Sequence, residues 1–227
     1  MKYKYILMDA DDTLLDFKKD ETKAISSLYK YMGIEPTPLL INLYSDINLS
    51  FWKKYERGEI EKSEIGPGRF RKLLKELGIN GDCNEIDEKY RSYLAKCGVT
   101  FPNTIKVCQE LREKGYHLYI VTNGTESIQK SRFANAGFSK VFEKYFVSDS
   151  IGYQKPKVDF FNRVFEEIGC FDKSAYLIVG DSLTSDILGG KNAGIDTCWC
   201  NFRNKTNETK LVPDYTIENI SQLLSIL

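Results

Sequence analysis

The chain has 227 residues, enough for one large domain or for a core domain with a smaller one inserted into it. Lys and Arg number 32, Asp and Glu also 32, so no electrostatic footprint for a nucleic-acid polymer or an anionic membrane is present. Apolar runs such as Ala175 to Val179 fall far short of the roughly 20 residues a membrane helix needs, and Asp9, Asp11 and Asp12 interrupt any export-signal core. A soluble cytoplasmic protein with small diffusing partners is expected.

The first element is a short apolar run, Tyr5-Ile6-Leu7-Met8, which reads as a buried strand and ends at Asp9-Ala10-Asp11. Residues two apart on a strand face the same way, so Asp9 and Asp11 would share one site while Ala10 faces away. Two close carboxylates repel unless a cation or a shared proton relieves them.

Four helical patterns follow. Ala24, Ile25, Leu28 and Met32 form an apolar face ending at Gly33; Leu39, Leu40, Leu43, Ile47, Phe51 and Tyr55 form a longer one ending at Gly58. Phe70, Leu73, Leu74 and Leu77 close at Gly78, and Ile86, Tyr90, Tyr93, Leu94 and Cys97 make the fourth. From Phe101 the pattern alternates. A helix with Ile105, Cys108 and Leu111 inside precedes a strand from His117 to Thr122. A helix through Ile128, Arg132 and Ala136 precedes a strand from Tyr145 to Ser148. Phe160, Phe161, Val164, Phe165 and Ile168 form a helix before the strand Tyr176 to Val179. A helix from about Thr184 to Ala193 leads into a strand from Thr197 to Cys200, and Tyr215 to Ile217 adds an edge strand before a terminal helix. This order predicts an α/β fold, a doubly wound parallel sheet over residues 1–16 and 99–227, with an all-α four-helix unit, 17–98, inserted after the first strand.

The cysteines, at 83, 97, 108, 170, 198 and 200, contain no C-x-x-C pair and accompany a single histidine, His117. Reduced, structural thiols are expected, with Cys198 and Cys200 on one face of their strand. Cysteine phosphatases need an Arg at a fixed offset after the nucleophile, and Lys89, Asn103, Lys114, Tyr176, Asn204 and Thr206 stand there instead. One histidine also excludes a His-His phosphoryl-transfer pair within the chain.

Open parallel sheets bind ligands beyond the carboxyl ends of their strands. At that edge the sequence places Asp9 and Asp11, then Thr122-Asn123-Gly124, Gln154-Lys155-Pro156, and Gly180-Asp181 with Asp186. Each segment alone reads as an ordinary turn, helix start or cap. Together they suit phosphoryl transfer through an aspartyl-phosphate. Mg²⁺ is the cation expected, in a set of Asp9, Asp11 and Asp181: Asp9 and Asp181 give side-chain oxygens, the first loop gives a backbone carbonyl, and Asp11 is not needed as a side-chain ligand. Asp9 is then the nucleophile and Asp11 the general acid and base. Thr122, the N–H groups of Asn123 and Gly124, and Lys155 hold the phosphate, while Asp186 orients Lys155 or a metal-bound water.

Asp9-x-Asp11-x-Thr13, Thr122-Asn123, Lys155-Pro156 and Gly180-Asp181 followed by Asp186 resemble, in that order, the four motifs of the haloacid dehalogenase superfamily of phosphotransferases. The resemblance implies a Rossmann-like core, Mg²⁺ as cofactor, and a helical cap placed right after the first motif. Dehalogenase members lack the second aspartate, so Asp11 argues against that activity. Asp12 where many relatives carry Gly, Thr122-Asn123-Gly124, Asp186-Ile187-Leu188-Gly189-Gly190 and Thr197-Cys198-Trp199 further resemble the bacterial house-cleaning nucleotidases that act on pyrimidine nucleoside monophosphates. A phosphate monoester of small size is the implied substrate. A broad phosphatase of sugar phosphates or phosphoglycolate is the alternative, with a phosphomutase or a non-catalytic binding protein behind it. Phe17, Trp52, Tyr55 and Arg69 are the candidate selectors of the leaving group.

Overall fold

The computed structural model describes residues 2–227, which divide into two units, 2–17 with 98–227, and 18–97. In the first unit, the elements are β1 (Tyr5–Met8), α5 (Thr104–Glu113), β2 (His117–Thr122), α6 (Glu126–Asn135), β3 (Lys144–Val147), α7 (Ser148–Ile151), α8 (Val158–Ile168), β4 (Tyr176–Gly180), α9 (Leu188–Ala193), β5 (Asp196–Cys200), β6 (Tyr215–Ile217) and α10 (Leu223–Ile226). Helices α1 (Phe17–Tyr31), α2 (Pro38–Glu56), α3 (Lys62–Leu77) and α4 (Cys83–Leu94) make up the other.

All six strands pair in parallel, in the order β3-β2-β1-β4-β5-β6. The chain winds outward from β1 through β2 to β3, then returns to the other side of β1 with β4, so the winding reverses between β1 and β4. Strands covered on both faces must be apolar throughout. Alternate residues accordingly enter two separate cores. Ile6, Met8, Leu118, Ile120, Leu177 and Val179 meet Val107, Cys108 and Leu111 of α5 and Phe133 of α6. Leu7, Tyr119, Val121, Tyr176 and Ile178 meet Phe160, Phe161, Val164 and Phe165 of α8. The sheet is therefore rigid at its centre, and its polar residues are left to the strand ends.

Between β4 and α9, Leu183–Ile187 forms a wide π-type turn in which the amides of Asp186 and Ile187 both donate to Ser182 O. The expected helix from Thr184 is present, but its first turn is π and only Leu188–Ala193 is α. Such widened turns collect at functional positions because they re-aim one side chain. Here that side chain is Asp186.

In the helical unit, α2 starts with Pro38 in its first turn and the Thr37 hydroxyl accepting from Leu40 N, and α3 ends at left-handed Gly78. Its interior holds Ala24, Ile25, Leu28, Ile47, Ile65, Leu73, Leu74 and Ile86, with the rings of Tyr44, Phe70 and Tyr90 packed at 5.1–5.6 Å. The buried face of α2 differs from the expected stripe: Tyr44, Ile47, Asn48 and Tyr55 face inward, and Leu39 is 78% exposed. The reason is a polar network inside the unit. The Arg69 guanidinium donates to Asn48 Oδ1 at 2.7 Å and Asp87 Oδ1 at 2.7 Å, and Asn48 in turn donates to Glu21 Oε1 at 2.7 Å. Apolar periodicity cannot find a face whose centre is an asparagine.

Candidate active site

The residues at the carboxyl edge are brought together by the elements that end there. Asp9 follows β1 directly, its amide still bonded to Val179 O at 2.8 Å, so its carboxylate is fixed relative to β4. Lys155, 1% exposed, is the hub. Its ammonium donates to Asp9 Oδ1 at 2.7 Å, to Asp186 Oδ1 at 2.7 Å and to Val121 O at 2.8 Å. Burial alone would lower its pKa, but Asp186 and Asp9 hold it above the usual lysine range, so it stays charged.

Asn123 is the bracket for this lysine. Its side-chain amide donates to Lys155 O at 2.9 Å and its Oδ1 accepts from Lys155 N at 2.9 Å. The backbone of residue 155 is thus pinned to the end of β2. On the other side Asp186 Oδ2 accepts from Ser182 N at 3.1 Å, and Gly180 leaves the space its carboxylate needs: a Cβ at 180 would lie 2.2 Å from Asp186 Cγ. Asp181 follows β4 directly, with its carbonyl accepting from Trp199 Nε1 at 2.9 Å and its Oδ2 from Lys205 Nζ at 2.8 Å.

Asp9, Asp181 and Asp186 each offer a carboxylate oxygen, and these lie within 4.8 Å of one another. Burial pushes Asp9 well above the ordinary carboxylate range against the pull of Lys155. Burial likewise pushes Asp181 up to about 7, opposed by Lys205 and reinforced by Asp12 and Asp186. Crowded, desolvated hard oxygens of this kind fit a small divalent cation, which would relieve the repulsion that raises both groups. The triad contains the two expected side-chain ligands, Asp9 and Asp181, and adds Asp186, which was expected to orient Lys155 or a metal-bound water.

Asp11 is not one of the triad, and the strand has ended before it. After Met8 the chain enters a turn in which Leu14 N and Leu15 N both donate to Ala10 O and Asp12 is left-handed at φ 59°. Strand alternation no longer governs there. Asp11 Oδ1 accepts from Arg132 at 2.6 Å and Oδ2 from Gln129 at 2.8 Å. Gln129 also donates to Thr122 Oγ1 at 3.1 Å, as does Gly124 N at 3.0 Å, so the Gly124 amide is committed within its own loop and the Thr122 hydroxyl keeps its proton to give. Thr122, Gln129, Arg132 and Asp11 form one connected patch beside Asp9.

Gln129, Arg132, Arg203 and Lys205 were not singled out from the sequence. Arg132 stands on an otherwise apolar helix stripe, between Ile128 and Ala136, and an arginine there was the available signal. Arg203 and Lys205 follow β5 at the same sheet edge, and that position alone pointed to them. Of the candidate selectors, Arg69 and Tyr55 are buried in the helical unit; Trp52 is partly exposed, and the half-buried Phe17 ring lies 5.4 Å beneath the Arg132 guanidinium. His117 pairs with Glu143 at 2.9 Å, and all six cysteines are free thiols.

Among the described residues no helix is long and apolar enough to cross a membrane. Residues 3–194 match the haloacid dehalogenase-like hydrolase family. The HAD-hydrolase YfnB of Bacillus subtilis is 38% identical, covering 100% of this chain and 96% of that protein. Its magnesium-bound crystal structure superposes with a TM-score of 0.94 over 100% of this chain and 99% of its own. The pyrimidine 5'-nucleotidase PynA of Streptococcus pneumoniae is 37% identical over 100% of this chain and 96% of its own length, and the pyrimidine 5'-nucleotidase YjjG of Escherichia coli is 28% identical over 100% and 99%. With its sheet, its motif order and its closest-packed acidic residues all accounted for, the chain belongs to the haloacid dehalogenase-like hydrolases, among the members close to pyrimidine 5'-nucleotidases.

Proposed function

We propose that this hydrolase is a phosphoric monoester hydrolase of the 5'-nucleotidase type, acting on nucleoside monophosphates, pyrimidine ones first, through an aspartyl-phosphate on Asp9. The observation that carries the reading is the Lys155 ammonium bonded at once to Asp9 and Asp186, with Asp181 in the same carboxylate group. The sequence likeness to two pyrimidine 5'-nucleotidases supports the choice of substrate.

Asp9, Asp181 and Asp186 would hold Mg²⁺, which when bound neutralises the acidic cluster and draws charge from the substrate's phosphoryl oxygens. An Asp9 oxygen attacks phosphorus, the ester P–O bond breaks, and Asp11 gives the leaving oxygen its proton. Water then yields a proton to Asp11 and attacks the same phosphorus. The P–O bond to Asp9 breaks, and inorganic phosphate and free Asp9 result. Lys155 and the Thr122 hydroxyl bind the non-bridging oxygens, and Gln129 and Arg132 fix the aim of Asp11. In this reading residues 17–98 are the cap that selects the leaving group, and Phe17 and Trp52 remain its candidates. Arg69, spent on Asn48 and Asp87, is not one.

Phosphate release with Mg²⁺ across nucleoside monophosphates, sugar phosphates and phosphoglycolate tests the proposal. Pyrimidine nucleotides should lead, and Asp9→Asn should remove nearly all turnover. A clear preference for sugar phosphates would replace the substrate with that of the broad phosphatase, and substantial activity in Asp9→Asn would remove the nucleophile.

A further inference from the structure

Two lysines touch the acidic cluster, and they are built differently. Lys155 is buried and holds three partners, so it belongs permanently to the site. Lys205 has a side chain 49% exposed, comes from the segment after β5, and among the described residues has Asp181 as its one ion-pair partner. The segment that presents it is braced. Lys205 N donates to Asn201 Oδ1 at 2.7 Å, the Asn201 amide donates to Lys205 O at 3.0 Å, and Asn201 N is tied to Ile217 O at 2.8 Å. Arg203, in the same turn, grips Asp12 at 2.7 Å and Asp16 at 2.9 Å. The backbone at 205 is therefore anchored, while a flexible four-carbon stem carries the ammonium to a carboxylate that the cation site needs.

We propose that Lys205 is an exchangeable internal counter-ion of the Asp9, Asp181 and Asp186 site, a residue that sets divalent-cation affinity by competing for Asp181 and withdrawing into solvent when the ion binds. The proposal rests on the reading of that triad as a divalent-cation site. A fixed lysine could not play this part, because removing Lys155 from its three partners would leave buried charges unpaired. Lys205 loses little by leaving, since half of its side chain already faces water and an ammonium hydrates well. The consequence is a positive charge placed where it opposes a second, stronger one, and that charge can be removed by substitution without touching the carboxylates.

The test is the dissociation constant of Mg²⁺, by calorimetry, and of Mn²⁺, by the electron paramagnetic resonance of the free ion, in wild type, Lys205→Met and Lys205→Arg. The Lys205–Asp181 pair at 2.8 Å, which the ion must displace, corresponds in a water-like dielectric to about a tenfold change in affinity. Lys205→Met should therefore bind either ion about tenfold more tightly, and Lys205→Arg should stay near wild type because it keeps the charge. Thermal unfolding gives a second readout: in chelator Lys205→Met should melt below wild type, and its rise on adding Mg²⁺ should be larger. If Lys205→Met folds poorly, Lys205→Gln makes the same comparison. Equal or weaker binding in the neutral variants overturns the proposal while leaving the cation site standing. A wild-type protein that binds neither ion overturns both.

Discussion

Arg132 is the side chain on which the aim of Asp11 depends, since it is 1% exposed and shared between Asp11 and Gln129, while the Asp11 carboxylate itself is 31% exposed. Replacing it by methionine keeps most of the volume over the Phe17 ring but leaves the carboxylate free to rotate. A misplacement of that order costs about 10²-fold in turnover, so Arg132→Met should lower kcat by about that factor with little change in KM, as steady-state kinetics would show. Gln129→Leu should act in the same direction and more weakly, because Arg132 still holds one oxygen. Gly180 is a second single-residue constraint. The space a Cβ would take is filled by the Asp186 carboxylate, and the Gly180 backbone is held in β4 by its pairing with β5. Gly180→Ala should cost about 1–3 kcal/mol by denaturant unfolding and weaken cation binding by turning Asp186 away.

Among the elements, α3 shows most clearly what could be read from the sequence and what could not. Its apolar stripe, Phe70, Leu73 and Leu74, and its stop at Gly78 were legible, because 3.6-residue spacing and a left-handed glycine are local signals. The role of Arg69 was not. An arginine on a helix reads as a solvated residue or a ligand contact, and only tertiary contact shows it enclosed between Asp87 and Asn48 with rings at 4.7–6.0 Å from its guanidinium. The strands were legible for the opposite reason: burial on both faces makes them continuous apolar runs, and the switch between β1 and β4 then puts Asp9, Lys155, Asp181 and Asp186 at one edge. The partners of Asp11, Gln129 and Arg132, fell outside that logic because they come from a helix. The enclosed ion pair also makes a testable demand on stability. Arg69→Met leaves Asp87 buried, with only the 3.8 Å approach of Arg91, and should cost about 3–5 kcal/mol. Adding Asp87→Leu should recover much of that, a positive coupling in a double-mutant cycle. Trp52 is in α2 and Trp199 in β5, so fluorescence in a Trp199→Phe background follows the helical unit by itself.

For the molecule as a whole, the cysteines tie burial to pH. Burial pushes the thiols of Cys108 and Cys198 up to about 12 and that of Cys200 well above the thiol range, whereas Cys83 and Cys170 are partly exposed. At pH 8 an aromatic disulfide reagent should therefore label Cys83 and Cys170 quickly and reach Cys108, Cys198 and Cys200 only as the protein unfolds. The same shifts set a direction for stability. In the unfolded chain these thiols ionise near pH 8.5, in the folded chain not until about 12, so across that interval the native state binds more protons than the unfolded one. Stability then falls as pH rises from about 8.5, and Cys108, Cys198 and Cys200 each add to the slope. Comparing the change in denaturant midpoint between pH 8 and 9.5 in wild type and in a variant lacking one of these thiols isolates that thiol's contribution from the buried tyrosines'. Wild type should lose stability over that interval. Cys198→Ala should be less stable at pH 8, because a methyl group does not fill the space of the buried thiol of β5, yet it should lose less on going to 9.5. An unchanged pH slope in Cys198→Ala would mean that the thiol stays protonated for reasons shared by the unfolded chain, and burial would no longer explain its shift.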